Sequence, residues 1–249
     1  MEEVNFTQDE IKSLELFHKG GFESKIYVYN DELLIKYFEL YIKWVLNFEY
    51  KKYKLIRLHE KKIHENILIY PEKLVNVDGE FSGYIMKKRN NGQTIADFYN
   101  YKKLIGFYQK LFKKLEILHT NDIIVGDLKH NNIVIENNEP IFGDVDSMGV
   151  DEFQKDFLGF YSLVSKTIPN IKKKNKYNDE TEIDKLKLLS CFIHSINRDN
   201  KNMDKKIINS KLSPTFKKEI INIFNKTKKI NVSKNIHELF EEEIYKINR

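Results

Sequence analysis

Between Leu118 and Asp146 the chain reads LHTNDIIVGDLKHNNIVIENNEPIFGDVD, with Asp127, then Asn132 five residues on, then Asp144 twelve further, and apolar runs between them. Ile133-Val134-Ile135 and Pro140-Ile141-Phe142-Gly143 are short β-prone runs, and Asn137-Asn138-Glu139 between them is a turn signal. The segment therefore predicts loop, strand, turn and strand. Such a hairpin sets Asn132, at its entry, beside Asp144, at its exit. Two oxygen ligands then converge on one point, which suits Mg²⁺, a hard cation satisfied by one or two protein ligands plus phosphate oxygens.

Leu118-His119 followed by Ile123-Ile124-Val125-Gly126-Asp127-Leu128-Lys129-His130-Asn131-Asn132 resembles the catalytic loop of eukaryotic-type protein kinases, and Asp144-Val145-Asp146 resembles their DFG motif. Val125-Gly126 stands where the family carries His-Arg, a form shared with aminoglycoside phosphotransferases and several small atypical kinases. Asp146 stands at the DFG glycine. The resemblance covers residues 15 to 249 and implies an α+β, bilobal protein kinase-like fold: a small β-rich N-lobe over residues 1–88 and a helical C-lobe over residues 89–249. It also implies roles. Asp127 would accept or orient the proton of the attacking hydroxyl, and Lys129, as in Ser/Thr kinases, would stabilise the phosphate. Asn132 and Asp144 would hold Mg²⁺.

Toward the N-terminus, Phe17 to Tyr29 reads as strand, glycine turn, strand. It resembles the kinase glycine-rich loop, with Gly21, Ser24 and Ile26 at the second glycine, third glycine and valine; a plain β-turn gives the same pattern. Asp31 to Phe38 is a strand carrying Lys36 at the place of the lysine that pairs with the α and β phosphates of ATP. Glu39 to Lys62 is apolar at helical spacing, with Trp44, Phe48, Leu55, Ile56 and Leu58 pointing inward. A kinase needs a glutamate on this helix to hold the lysine; Glu49 takes that role, with Glu60 in reserve. Two strands, Ile67 to Val77 and Glu80 to Met86, flank the Asp78-Gly79 hairpin signal. Ile85 then becomes the gatekeeper and Met86-Lys87-Lys88 the hinge whose backbone meets adenine. The polar run from Arg89 to Gln93 marks the lobe boundary.

Tyr101 to His119 predicts an amphipathic helix that buries Leu104, Tyr108, Leu111, Phe112, Leu115 and Leu118 and delivers the catalytic loop. His119 reads as a structural group. Asp156 to Leu163 resembles the central helix of the C-lobe with its anchoring aspartate, twelve residues beyond Asp144, which implies a shortened activation segment. Asp156 would orient the catalytic-loop backbone. Gly126 replaces the arginine that pairs with a phosphorylated segment, and Ser147 is the one hydroxyl between Asp144 and Asp156. Activity would then need no phosphorylation there, and an activating protein partner would be free to complete the cleft. Leu186 to Ile196, Phe216 to Thr227 and Ile236 to Ile247 read as three further helices beneath the loop.

Composition narrows the classes. The 249 residues, 41% hydrophobic, suffice for one unit of two lobes with a sizeable core. The 42 Lys and Arg against 37 Asp and Glu are spread along the chain, which argues against a nucleic-acid partner, since a clustered basic face marks one. A single cysteine, Cys191, excludes an intrachain disulfide and fits a reducing compartment. The opening MEEVNFTQDE carries no Sec-type signal and no apolar run is long enough to span a membrane. The expectation is a cytoplasmic protein. Delivery into a host cell without a Sec-type signal follows from the likeness to minimal kinases that bacteria inject.

The function implied is ATP-dependent phosphotransfer, with Mg²⁺, to a serine or threonine hydroxyl of a protein. Two rivals use the same residues. An aminoglycoside-type phosphotransferase would keep Asp127, Asn132 and Asp144, and the Val125-Gly126 form with a missing docking platform favours it. A nucleotide-binding pseudokinase acting as a scaffold is the non-enzyme reading, against which the retained charged groups stand.

Overall fold

The chain up to Lys87 is rich in β-branched and aromatic residues punctuated by glycine and Asx turns, and it builds one sheet. The computed structural model describes residues 1–18, 23–39, 48–89, 93–152, 180–196, 211–225 and 232–247. The first elements are β1 (Glu2–Phe6), α1 (Gln8–Ser13), β2 (Leu16–His18), β3 (Ser24–Val28), β4 (Leu33–Phe38), α2 (Phe48–Glu60), β5 (Pro71–Val77) and β6 (Glu80–Lys87). The strand order is β1-β5-β6-β4-β3-β2, with β1 parallel to β5 and the other pairings antiparallel.

The expected Asp78-Gly79 turn closes β5 onto β6 with φ of 52° and 82°, the left-handed pair that matches strand twist. The preceding strand starts at Pro71 instead of Ile67. Backbone around Ile67 bonds elsewhere: Ile69 N donates to Phe142 O at 2.8 Å, and Phe142 N donates to Ile67 O at 2.9 Å. β1 and α1 lie outside the expected fold, although α1 begins on a readable capping box in which Thr7 Oγ1 accepts from Glu10 N and Glu10 accepts from Thr7 N.

Strand alternation divides the sheet into two faces. Leu34, Lys36 and Phe38 of β4 share a face with Tyr84 and Met86 of β6, since Leu34 pairs with Met86 and Lys36 with Tyr84. That face packs on Phe48, Leu55 and Leu58 of α2, and Phe38 meets Phe48 at a ring separation of 5.5 Å. The rear face buries Tyr27, Ile35, Tyr37, Val75, Val77 and Ile85 under Ile11 of α1.

Helices dominate the rest of the chain. α3 (Tyr101–Thr120) starts on Asn100, whose side chain accepts from Lys103 N, and buries the six expected residues. Four short strands follow, β7 (Ile123–Ile124), β8 (Ile133–Glu136), β9 (Glu139–Phe142) and β10 (Gly149–Val150). β8 and β9 form the expected hairpin, turning on Asn137 and Asn138, both at positive φ. β7 pairs with β10. Then come α4 (Glu180–Ile196), α5 (Pro214–Asn225) and α6 (Val232–Ile247), joined to α3 through contacts among Phe112, Phe192, Phe216 and Phe240. One apolar cluster runs from Phe38 and Tyr84 through Leu111 to Phe240, so the β-rich first part and the helical second part share a core. Arg89 pins them at the crossover, donating to Glu136 Oε2 at 2.7 Å and to Glu65 O at 2.7 Å. No helix among the described residues is long and apolar enough to cross a membrane.

Two glycines give opposite expectations. A Cβ at Gly83 would lie 2.1 Å from the Lys36 carbonyl oxygen, so Gly83→Ala should cost about 1–3 kcal/mol of stability or more by overpacking. Gly106, inside α3, has open space where a Cβ would go, so Gly106→Ala should stabilise by up to about 1 kcal/mol through helix propensity. Urea unfolding of both checks this, and an unperturbed Gly83→Ala protein would refute the close β4–β6 approach.

Candidate active site

The loop from Val125 to Asn132 is carried by α4 from below. Asp184, fully buried, accepts from Val125 N through Oδ2 at 2.7 Å and from Gly126 N through Oδ1 at 3.0 Å. Lys187 donates to the Gly126 carbonyl, Cys191 Sγ donates to the Leu128 carbonyl at 3.5 Å, and His130 Nε2 hydrogen-bonds with the Cys191 carbonyl at 2.9 Å. Gly126 itself takes φ +71°, a conformation glycine adopts without strain. His119, expected to be structural, lies against Asp184 with Nε2 at 3.4 Å.

Asp184 therefore makes the contacts to the loop backbone that were expected of Asp156. Asp156 to Leu163 lies outside the described residues, but the anchoring aspartate is 40 residues beyond Asp144 (184 − 144), not twelve. Counted to Asp184, the interval contains, besides Ser147, the hydroxyls of Tyr161, Ser162, Ser165, Thr167, Tyr177 and Thr181, so Ser147 is its one hydroxyl only as far as Asp156. The readable signal was a carboxylate in register with the stripe Asp184, Leu188, Cys191 and Phe192, all fully buried.

The loop and the β8–β9 hairpin bring four expected residues together. Lys129 Nζ donates to Asp127 Oδ2 at 2.5 Å. Asn132, on a 3₁₀ turn over His130–Asn132, donates through Nδ2 to Asp127 O at 2.9 Å and to Asp144 Oδ2 at 3.2 Å. Gly143 N donates to Asn132 O at 2.7 Å, which locks the two ends of the hairpin. Asp144 adopts the left-handed conformation (φ 59°, ψ 45°), which aspartate tolerates better than most residues, and its carbonyl accepts from Ser147 Oγ at 2.8 Å.

Lys36 reaches this cluster from β4. Its ammonium donates to Asp144 Oδ1 and, at 2.5 Å, to Asp146 Oδ1. Asp146 also accepts from Tyr84 Oη at 3.1 Å and from Lys51 Nζ of α2 at 3.2 Å, and Lys51 lies 3.6 Å from Glu23 Oε2. Lys36, Lys51, Tyr84 and Asp146 are all buried. Burial pushes the Asp146 carboxyl up, but Lys36 and Lys51 outweigh it and hold the group well below the usual carboxylate range. Burial pulls Lys36 down, and Asp144 and Asp146 outweigh that to raise it well above an ordinary lysine.

Several expected roles are thereby reassigned. Glu49 is exposed on α2, and Glu60 pairs with Arg57 at the surface, so neither holds Lys36. Ile85 pairs with Ile35 and points into the rear core; Tyr84 and Met86 occupy the face of Lys36. Ser24 and Ile26 do share that face, through pairing with Phe38 and Lys36. In the expected hinge, Lys88 N is committed to Glu32 O at 2.6 Å, Lys88 Nζ lies over the Phe17 ring, and Lys87 Nζ pairs with Glu65. Gly21 and Trp44 lie outside the described residues, as do residues 90–92 of the expected lobe boundary. Lys51, Tyr84 and Asp184 were not foreseen.

Among the described residues no group of three or more His, Cys, Asp or Glu is placed to hold a metal ion. Asn132 and Asp144 meet through Asn132 Nδ2, which donates to Asp144 Oδ2 and to the Asp127 carbonyl, so the amide oxygen is turned away from the carboxylate and the two expected oxygen ligands do not converge. With the amide turned over, a carboxamide and a carboxylate oxygen would suit Mg²⁺, which completes its shell with phosphate oxygens and water. Compared with protein-family models and with characterised proteins, the chain finds no match.

Cys191 reports on the loop support. Burial pushes its thiol up to about 12, whereas an unfolded cysteine ionises near about 8.5. The native state keeps its proton longer than the unfolded state, so this contribution to stability is full below the unfolded value and is lost as pH climbs toward the folded one. A thiol reagent at pH 8 should label nothing in the native protein and one thiol after denaturation. Asp184→Ala, which strips two buried N–H groups of their acceptor at about 1–3 kcal/mol each, should make Cys191 reactive. Fast labelling of the unaltered native protein would contradict the packing of α4 under the loop.

Proposed function

We propose that the protein is an ATP-dependent phosphotransferase of bilobal, protein kinase-like architecture, with residues 1–88 as N-lobe and 89–249 as C-lobe, acting on serine or threonine hydroxyls of a protein. One observation carries the reading: Asp127, Lys129, Asn132 and Asp144 converge with Lys36, which comes from a strand 108 residues before Asp144. Phosphoryl transfer is mostly positioning plus charge neutralisation, and this cluster supplies both.

Asp127 orients the attacking hydroxyl and takes its proton through the carboxylate that Lys129 and Asn132 hold. Lys129, half-exposed beside Asp127, adds positive charge where the transferred phosphoryl group passes. Lys36 pairs with the α and β phosphates. Asn132 and Asp144 hold Mg²⁺, which when bound screens the charge of the phosphates. Adenine lies against Ile26, Leu34 and Met86 on the face of Lys36, with Tyr84 in the gatekeeper position. The 40-residue interval from Asp144 to Asp184 leaves room for a docking segment, which reduces the case for a small-molecule acceptor to the Val125-Gly126 form alone. A lone, buried Cys191 suits the reducing cytoplasm.

Mg-ATP should stabilise the protein against heat, by about 2.7 kcal/mol at a hundred times the dissociation constant. Asp127→Asn should keep that stabilisation and lose transfer by on the order of 10²-fold or more, whereas Asp144→Ala should lose both. Transfer to generic protein substrates, and none to aminoglycosides, is expected with labelled ATP. A folded protein whose melting neither ATP nor GTP shifts at millimolar concentration would refute the reading.

A further inference from the structure

We infer that Asp146 is the positioning residue that holds Lys36, and that α2 serves the site with a cation, Lys51, in place of a carboxylate. The catalytic half of this assignment rests on the proposed phosphotransferase function; the pairing itself does not.

Four features carry it. Lys36 touches two carboxylates, and they differ: Asp144 is the proposed metal ligand, with a partly exposed side chain, while Asp146 is almost entirely enclosed. Asp146 is also fixed from three directions, by Lys36 and Tyr84 Oη on Oδ1 and by Lys51 on Oδ2. A carboxylate so held has one rotamer and presents one oxygen to Lys36. Helix geometry then explains why Glu49 is absent. Residues 49 and 51 lie about 200° apart around a helix, so turning Lys51 inward turns Glu49 to solvent. Lys54, on the inward face one turn after Lys51, is also buried and adds positive potential at Asp146. The face of α2 toward the site is thus cationic, and a glutamate there would be redundant with Asp146. Finally, Asp146 is two residues from Asp144 on the same 3₁₀ turn, so the lysine and its holder are positioned relative to the proposed metal ligand by local backbone.

A double-mutant cycle on melting temperature tests the pairing without any activity. The losses for Lys36→Met and Asp146→Asn should fall well short of additive in the double variant, and those for Lys36→Met and Glu49→Gln should add. Additive losses for Lys36 and Asp146 would overturn the inference. In transfer assays Asp146→Asn should lower kcat/KM for ATP on the order of 10²-fold, and Glu49→Gln should change it by no more than about twofold. Asp146→Asn combined with Lys51→Met removes the buried carboxylate together with one of its counter-ions, which guards against simple misfolding. This protein should regain melting temperature relative to Asp146→Asn but not transfer. Recovery of transfer along with stability would reduce Asp146 to a counter-ion of Lys51 and also overturn the inference. If the unaltered protein neither binds Mg-ATP nor transfers phosphate, the functional reading fails, and the melting cycle alone still decides the pairing.

Discussion

A buried ammonium must meet carboxylates or give up its charge, and in this chain that requirement ties distant segments together. Lys36 leaves β4 on the face that also carries Phe38 and Tyr84, and it is satisfied only when the turn Asp144 to Ser147 is folded beneath it. That turn is placed by the β8–β9 hairpin. Lys51 of α2 arrives at the same carboxylate from another side, so sheet, helix and hairpin are fixed by one group of charges. Removing a single partner from such a group typically costs about 3–5 kcal/mol, because the charges left behind stay buried. The cluster is thus less a source of net stability than a condition on which arrangements of the two parts are tolerable.

A second buried charge acts on backbone. Asp184 accepts from two consecutive N–H groups, which cannot both point one way in a regular strand, and Gly126 supplies the left-handed turn that lets them. The next residue is Asp127, so the direction of its carboxylate follows from the Asp184 contact and not from side-chain packing of its own. Lys187 on the Gly126 carbonyl and Cys191 under Leu128 complete a floor made of α4.

What could be read from the sequence was local. Asn137-Asn138 and Asp78-Gly79 announce their hairpins through backbone chemistry that few other residues accept, and α3 shows its phase because its polar and apolar faces are distinct. The hairpin set Asn132 beside Asp144, and the resemblance to the kinase catalytic loop added Asp127 and Lys129. The pairing of Lys36 with Asp146 across 110 residues leaves no periodic trace, and the stripe that turns Asp184 inward does not name Val125, 59 residues away, as its partner. Phase also failed where both faces are buried. Phe81 through Ile85 are all enclosed, so alternation could not tell Tyr84 from Ile85. α2 buries Lys51 and Lys54, which pattern reading assigns to solvent, so the inward place given to Glu49 falls to Lys51.

The placement of the lysine's partner has a mechanical consequence. If the holder sat on α2, any movement of that helix would carry the carboxylate away and release Lys36. With the holder on the same turn as Asp144, moving α2 removes only Lys51, and Asp146 keeps Lys36 and Tyr84 as donors. The helix is itself tethered at its far end, where Arg57 and Lys61 both pair with Asp151, one residue past β10. On the phosphotransferase reading, displacement of α2 therefore weakens the electrostatic support of the lysine without dismantling it. Control of such a site would have to act on the 3₁₀ turn or on the hairpin that places it, since these fix Lys36, Asp144 and Asn132 together.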